Sequence, residues 1–202
     1  MYRNLRARLR AGDAAAFGQV FDDHARDVHR HALRTTGSWA TAEDVVSLTF
    51  YEAWRLRERL LPDGDSLLPW LLGIATNVLR NTRRAARRHS AALARLHIEP
   101  VPDFADEVVD RMRDADRLAA AVAALSRLRP ADREVFTLCV WSGLDYAQAA
   151  EALGVPVGTV RSRLSRARAR LRDLTERELM PSHGQVPDGR ISAARSHQER
   201  NR

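Results

Sequence analysis

The stretch Gly143–Arg172, GLDYAQAAEALGVPVGTVRSRLSRARARLR, reads as two short helices joined by a tight turn, the second studded with arginine. Small and apolar Ala147, Ala149, Ala150 and Leu153 fall on one face of the first helix. Gly154 supplies the turn, where a side chain would hinder a positive φ. Val157, Val160 and Leu164 give the second helix an apolar stripe at i, i+3 and i+7. Arg161, Arg163, Arg166, Arg168, Arg170 and Arg172 cover the rest, and no acidic residue occurs between Ala152 and Arg172. A merely solvated helix mixes signs and gains i,i+4 pairs, which this one forgoes. Ala150 is small enough to let two helices cross closely. The unit, at about residues 146–170, has the layout of a helix-turn-helix whose second helix suits the major groove of DNA.

A second basic cluster lies upstream. Arg80, Arg83, Arg84, Arg87 and Arg88 crowd one helical half, and no acidic residue occurs between Ser66 and Ile98. A helix C-terminus favours cations through its macrodipole, but five arginines in nine positions exceed that need. Asn77 and Asn81 precede and interleave with them. Arginines can hold phosphates while Asn amides reach base edges.

The chain has 202 residues and a net charge of +7, which favours a polyanionic partner. All 33 basic residues are arginine. Codon bias in a GC-rich genome accounts for the missing lysine, but not for where the arginines cluster. Cys139 is the only cysteine and sits in the apolar run VFTLCVW, as a packed small hydrophobe would. The seven histidines are scattered, so no metal site is expected. No cofactor motif, carboxylate pair, nucleophile elbow or phosphate loop appears, and no enzyme is expected. The basic start MYRNLRARLR lacks a following apolar core, and no stretch approaches a membrane span. A cytoplasmic protein without membrane insertion is expected.

The fold class expected is all-α, in two small helical domains. Asp13 reads as a helix N-cap, Phe17, Val20, Phe21, Val28 and Ala32 as the stripe that follows, and Gly37 as the stop. Thr41 opens the next helix with Asp44 as a capping-box variant, and Val46, Phe50, Ala53 and Trp54 form its buried face. Leu61–Ser66 is a turn. A third helix runs from about Pro69 to Arg88 on Leu71, Ile74 and Val78. The first domain thus spans 1–96. Residues 97–113, with Pro100, Pro102 and several acidic residues, read as a flexible acidic linker. The second domain, 114–178, holds Leu118, Val122 and Leu125 in register, a break at Pro130, a helix over Ala131–Trp141 and the helix-turn-helix. The tail 179–202 is polar enough to be disordered.

Two basic helices joined by an acidic linker imply a grip on DNA at two separated places. At this point the chain resembles the extracytoplasmic-function (ECF) sigma factors of the sigma-70 family. AEDVVSLTFYEAW (Ala42–Trp54) is similar to the family's core-polymerase-binding helix in region two. WLLGIATNVLRNTRRAARR (Trp70–Arg88) is similar to its promoter-melting, minus-ten-reading helix. Leu128–Arg172, with GTVRSRL, looks like region four. The resemblance implies a promoter-specificity subunit whose partners are RNA polymerase core enzyme, promoter DNA and an anti-sigma factor. Asp44, Ser47, Leu48 and Tyr51 would meet the core, although Ser47 and Leu48 stand where the family usually has Gln and an acid. Asp44 can also cap its own helix. Asn77, Arg80, Asn81, Arg83, Arg84, Arg87 and Arg88 would bind the minus-ten element, with the loop Leu61–Ser66 framing a flipped base. Thr159, Arg161, Ser162, Arg163, Ser165 and Arg166 would read the minus-thirty-five element, Arg161 and Arg166 foremost, and Arg168 and Arg170 would anchor phosphates. The alternative is a stand-alone helix-turn-helix repressor or activator, which binds its operator without polymerase.

Overall fold

The computed structural model describes residues 2–95 and 109–179, and among these every regular element is helical. Helix α1 spans Tyr2–Arg10, α2 Ala14–Thr36 and α3 Trp39–Leu56, the last running into a 3-10 turn at Arg57–Arg59. Helix α4 spans Leu68–Arg95 and α5 Val109–Ser126. Helix α6, Pro130–Phe136, continues as a π turn over Thr137–Trp141, and α7, Tyr146–Leu153, leads to α8, Val157–Leu179. Most of the expected linker and tail lie outside the described residues. Helix α5 starts at Val109, five residues before the helical pattern expected from about Asp114.

Local chemistry sets most boundaries. The Asp13 carboxylate accepts from the Ala15 and Ala16 amides at 2.9 and 3.1 Å, and Gly37 closes α2 in the left-handed conformation. The start of α3 differs from expectation. Ser38, not Thr41, is its N-cap, accepting from the Thr41 amide at 3.2 Å, so Asp44 stands beyond the first turn. Pro130 occupies the first turn of α6, where its missing N–H costs nothing. Asp145 and Gln148 form a reciprocal capping box on α7, at 2.8 and 3.0 Å. Gln148 thus performs the capping role of a glutamate. Gly154 ends α7 at φ 64°, as its sequence position requires.

Three apolar faces are displaced from the expected ones. Ala147 is exposed and Val157 is 37% exposed. Both occupy the first turn of a helix, where side chains lean back past the helix end and find nothing beneath them. The stripe that seats α8 is Val160, Leu164, Ala167 and Leu174. On α3 the buried set is Ala42, Val45, Thr49, Phe50 and Ala53, with Val46 and Trp54 only half-buried at its flank. Phe21 is exposed but keeps an edge-on contact with Phe50, ring centroids 4.8 Å apart.

Helix α4 buries Leu71, Leu72, Ile74, Ala75, Val78 and Leu79, twice the stripe expected. It is gripped from both sides, by α2 and α3 on one and α7 on the other. One core therefore runs from Leu9 and Val20 through Leu72 to Val135, Leu138, Ala149 and Leu164. The two halves are packed together rather than merely tethered. Gly73 makes this possible, because a Cβ there would overlap the Ala152 carbonyl oxygen of α7. Gly73→Val is expected to part α4 from α7, an overpacking cost of about 1–3 kcal/mol. Small-angle scattering should show a larger radius at unchanged helix content; an unchanged radius would mean that this contact does not hold the halves.

Candidate nucleic-acid and partner interfaces

Helix α8 presents Arg161, Ser162, Ser165, Arg166, Arg168 and Arg170 as exposed residues, with Thr159 and Arg163 half-buried. Two of these arginines are already engaged. Arg161 lies over the Tyr146 ring, 5.8 Å from its centroid. Arg166 donates to the Asp132 carboxylate at 3.0 and 3.4 Å. Asp132 is only 6% exposed, so Arg166 also neutralises a buried acid of α6. The Ser162 hydroxyl turns back to the Thr159 carbonyl at 3.0 Å.

Helix α4 divides its polar residues between two openings. Arg80 makes a bidentate pair with Glu134 of α6, at 2.6 and 2.7 Å, and holds the Asn77 amide oxygen at 2.9 Å. Arg83 donates to the Thr35 carbonyl at 2.9 Å. Both arginines therefore also help to hold the fold together. Arg84, Arg87 and Arg88 remain exposed. Arg80, Arg83, Arg84 and Arg87 share one cleft of about 500 Å³ with Arg133 and Arg163, so candidate residues of the two DNA sites face one another.

Asp44, Ser47, Leu48 and Tyr51 are all exposed on α3, as the docking assignment requires. Leu48 is 47% exposed and lines a groove of about 360 Å³ between α3 and α4. Ile74 and Val78 are apolar walls of this groove, and Asn77 and Asn81 also line it. Residues assigned to different partners by sequence thus share one opening.

The loop Leu61–Ser66 is held from a helix that sequence reasoning passed over. Arg6, 1% exposed, donates to the carbonyls of Leu61 and Ser66, and Arg10 donates to that of Leu60. Their spacing of four puts both arginines on one face of α1; nothing in the sequence pairs that face with a loop fifty residues away. Asp132, Arg133 and Glu134 were missed for the same reason.

His31 is buried where the halves meet, its Nδ1 3.0 Å from the Ser142 hydroxyl. Burial, then the Arg83 charge, push its pKa from 6.5 down to about 4. Burial lowers that of His24 as well. As pH falls through 6.5 the unfolded chain gains a proton that the folded His31 refuses. Its stability contribution is complete above 6.5 and is lost as pH drops to about 4, on the order of 3 kcal/mol. Melting temperature should fall across that window, and His31→Gln should flatten the slope. An identical slope in the variant would assign the loss to other groups.

Family models agree with this layout. One described as Sigma-70 region 2 matches residues 20–89, and one described as Sigma-70, region 4 matches residues 118–171. "ECF RNA polymerase sigma factor SigL" of Mycobacterium tuberculosis is 36% identical over 176 residues, covering 84% of this chain and 93% of its own. "RNA polymerase sigma factor NccH" of Alcaligenes xylosoxydans xylosoxydans is 33% identical over 179 residues, covering 85% and 93%. Among solved structures, CnrH in complex with the cytosolic domain of CnrY superposes with a TM-score of 0.66 at 27% identity, over 87% of this chain and 97% of that one. The sigma factor RpoE in complex with the anti-sigma factor NepR from Bartonella quintana gives 0.58 at 28% identity, over 79% and 96%.

Proposed function

The chain belongs to the ECF sigma factors of the sigma-70 family, and from that premise we infer that it is a promoter-specificity subunit of bacterial RNA polymerase. The observation that carries this is the coincidence of the two acid-free arginine runs with the region-two and region-four matches, in the family's order. The chain's role is regulatory, and polymerase supplies the chemistry. Its place of action is the cytoplasm; no described helix is long and apolar enough to cross a membrane. Solved relatives bound to anti-sigma factors make a protein of that kind a third partner, beside the core enzyme and promoter DNA. The stand-alone repressor reading is not favoured, since its proteins do not combine these two regions.

In the division of labour, the α3 face Asp44, Ser47, Leu48 and Tyr51 docks on the core. The α4 set from Asn77 to Arg88 holds the minus-ten DNA, and flipping a base there costs a few kcal/mol, drawn from core binding. The α8 set from Thr159 to Arg170 reads the minus-thirty-five element. Two small DNA surfaces need a scaffold to act together, so the protein alone should bind duplex DNA weakly. Footprinting with and without core polymerase tests this, and tight specific protection by the protein alone would reinstate the repressor. In the same assay Arg161→Ala should lower occupancy of the minus-thirty-five element about ten- to hundredfold, the loss of one bidentate guanine contact. Arg170→Ala should weaken all sequences alike and reduce the salt dependence. Equal behaviour of the two variants would dissolve the distinction between reading and anchoring residues.

A further inference from the structure

The cleft between α4 and α6 is electrostatically incomplete. Six arginines line it against one carboxylate, Glu134, and both Glu134 oxygens are already taken by Arg80. Arg83 of α4 and Arg133 of α6 are each half-buried, and each has its guanidinium pKa lowered, first by burial; the Arg133 charge adds to the shift of Arg83, and Glu134 opposes both shifts. Arg87 adds its charge to both. The Arg133 Nε is buried without a hydrogen-bond partner among the described residues. An interface between two halves does not ordinarily gather like charges, because their repulsion works against the packing. At about 500 Å³ the cleft has room for more than one phosphate group, and guanidinium forks match phosphate oxygens two at a time.

We propose that this cleft binds an oligophosphate, held by Arg83, Arg84 and Arg87 from α4 and by Arg133 and Arg163 from the other half. The chemistry recognised is a row of phosphoryl groups, free or as the tail of a nucleotide. Because its ligands come from both halves, an occupied cleft favours the packed arrangement over a separated one. The inference rests on the cleft alone and stands whether or not these arginines also meet promoter DNA.

Isothermal titration of the full chain with inorganic tripolyphosphate, at constant ionic strength near 0.15 M, tests it. One saturable site is expected, weakened about tenfold or more by Arg133→Gln and by Arg87→Gln, with loss of charge-assisted bonds. Arg59→Gln, at an exposed arginine that does not line the cleft, should change affinity no more than about twofold, as screened surface charge does. Circular dichroism confirms that each variant is folded. A nucleoside triphosphate arm separates the sources: equal affinity means that the phosphate row alone is read, and tighter binding means a nucleotide. Absence of saturable binding, or equal weakening by Arg59→Gln, overturns the proposal, since diffuse charge would then explain the signal.

Discussion

Leu48→Asp is expected to fold normally and to fail in assembly with core RNA polymerase. Leu48 stands 47% exposed beside Tyr51, itself 61% exposed, with exposed Asp44 and Ser47 on the same helix. An isolated exposed leucine needs no explanation, but two large apolar groups on a docking face serve as anchors. Losing an anchor contact and placing a carboxylate in its stead should weaken assembly about a hundredfold or more. The melting temperature should hardly move, because surface substitutions stay within about 0.5 kcal/mol. Pull-down with the core beside circular dichroism melting checks both halves of the expectation. Normal assembly by the folded variant would remove α3 from the docking surface. A collapsed melting temperature would mean that the groove contacts with Ile74 and Val78 hold the fold instead.

Arg166→Ala is expected to act twice. Its removal leaves the Asp132 carboxylate, 6% exposed, without its cation. Arg166 itself is about half-exposed, so water can partly replace it, and the cost is about 1–3 kcal/mol. For a chain of this size that lowers the melting temperature by roughly 2–4 °C per kcal/mol. Use of promoters that depend on the upstream element should also fall about ten- to hundredfold, as a lost base contact requires. Asp132→Asn combined with Arg166→Ala should restore the melting temperature and not the promoter use. If the double variant recovers both, Arg166 is a structural residue only.

The contrast between Arg161 and Arg166 shows where the sequence stops being readable. Both are exposed arginines on one helix, and nothing local distinguishes them. What separates them is a carboxylate thirty-four residues earlier on α6, brought alongside only by the fold. Signals acting within four residues were legible: Asp13 as a cap, Gly37 and Gly154 as stops, Pro130 as a break, although the structure makes it the first residue of α6. Thr41 was misplaced because Ser38 is an equally good cap three residues earlier, and composition alone does not choose between hydroxyls. The exposed faces of α4 and α8 were found because arginine and acid-free runs are visible in one dimension, and that of α3 came from the family resemblance. The packing of α4 against α7 was not, since it turns on Gly73 lying opposite the backbone of Ala152. A glycine inside a helical pattern does not declare its neighbour.

The hold of α1 on the loop Leu61–Ser66 separates the path of that loop from its lettering. Arg6 and Arg10 grasp backbone carbonyls, which every residue type provides. These carbonyl bonds survive exchange of loop side chains, except at Gly64, where a Cβ would run into Arg6, and at Ser66, whose hydroxyl accepts from the Leu68 amide. Were the loop to frame a flipped promoter base, as the family resemblance implies, that would be a route to new promoter preferences by single substitutions, with the scaffold left as it stands.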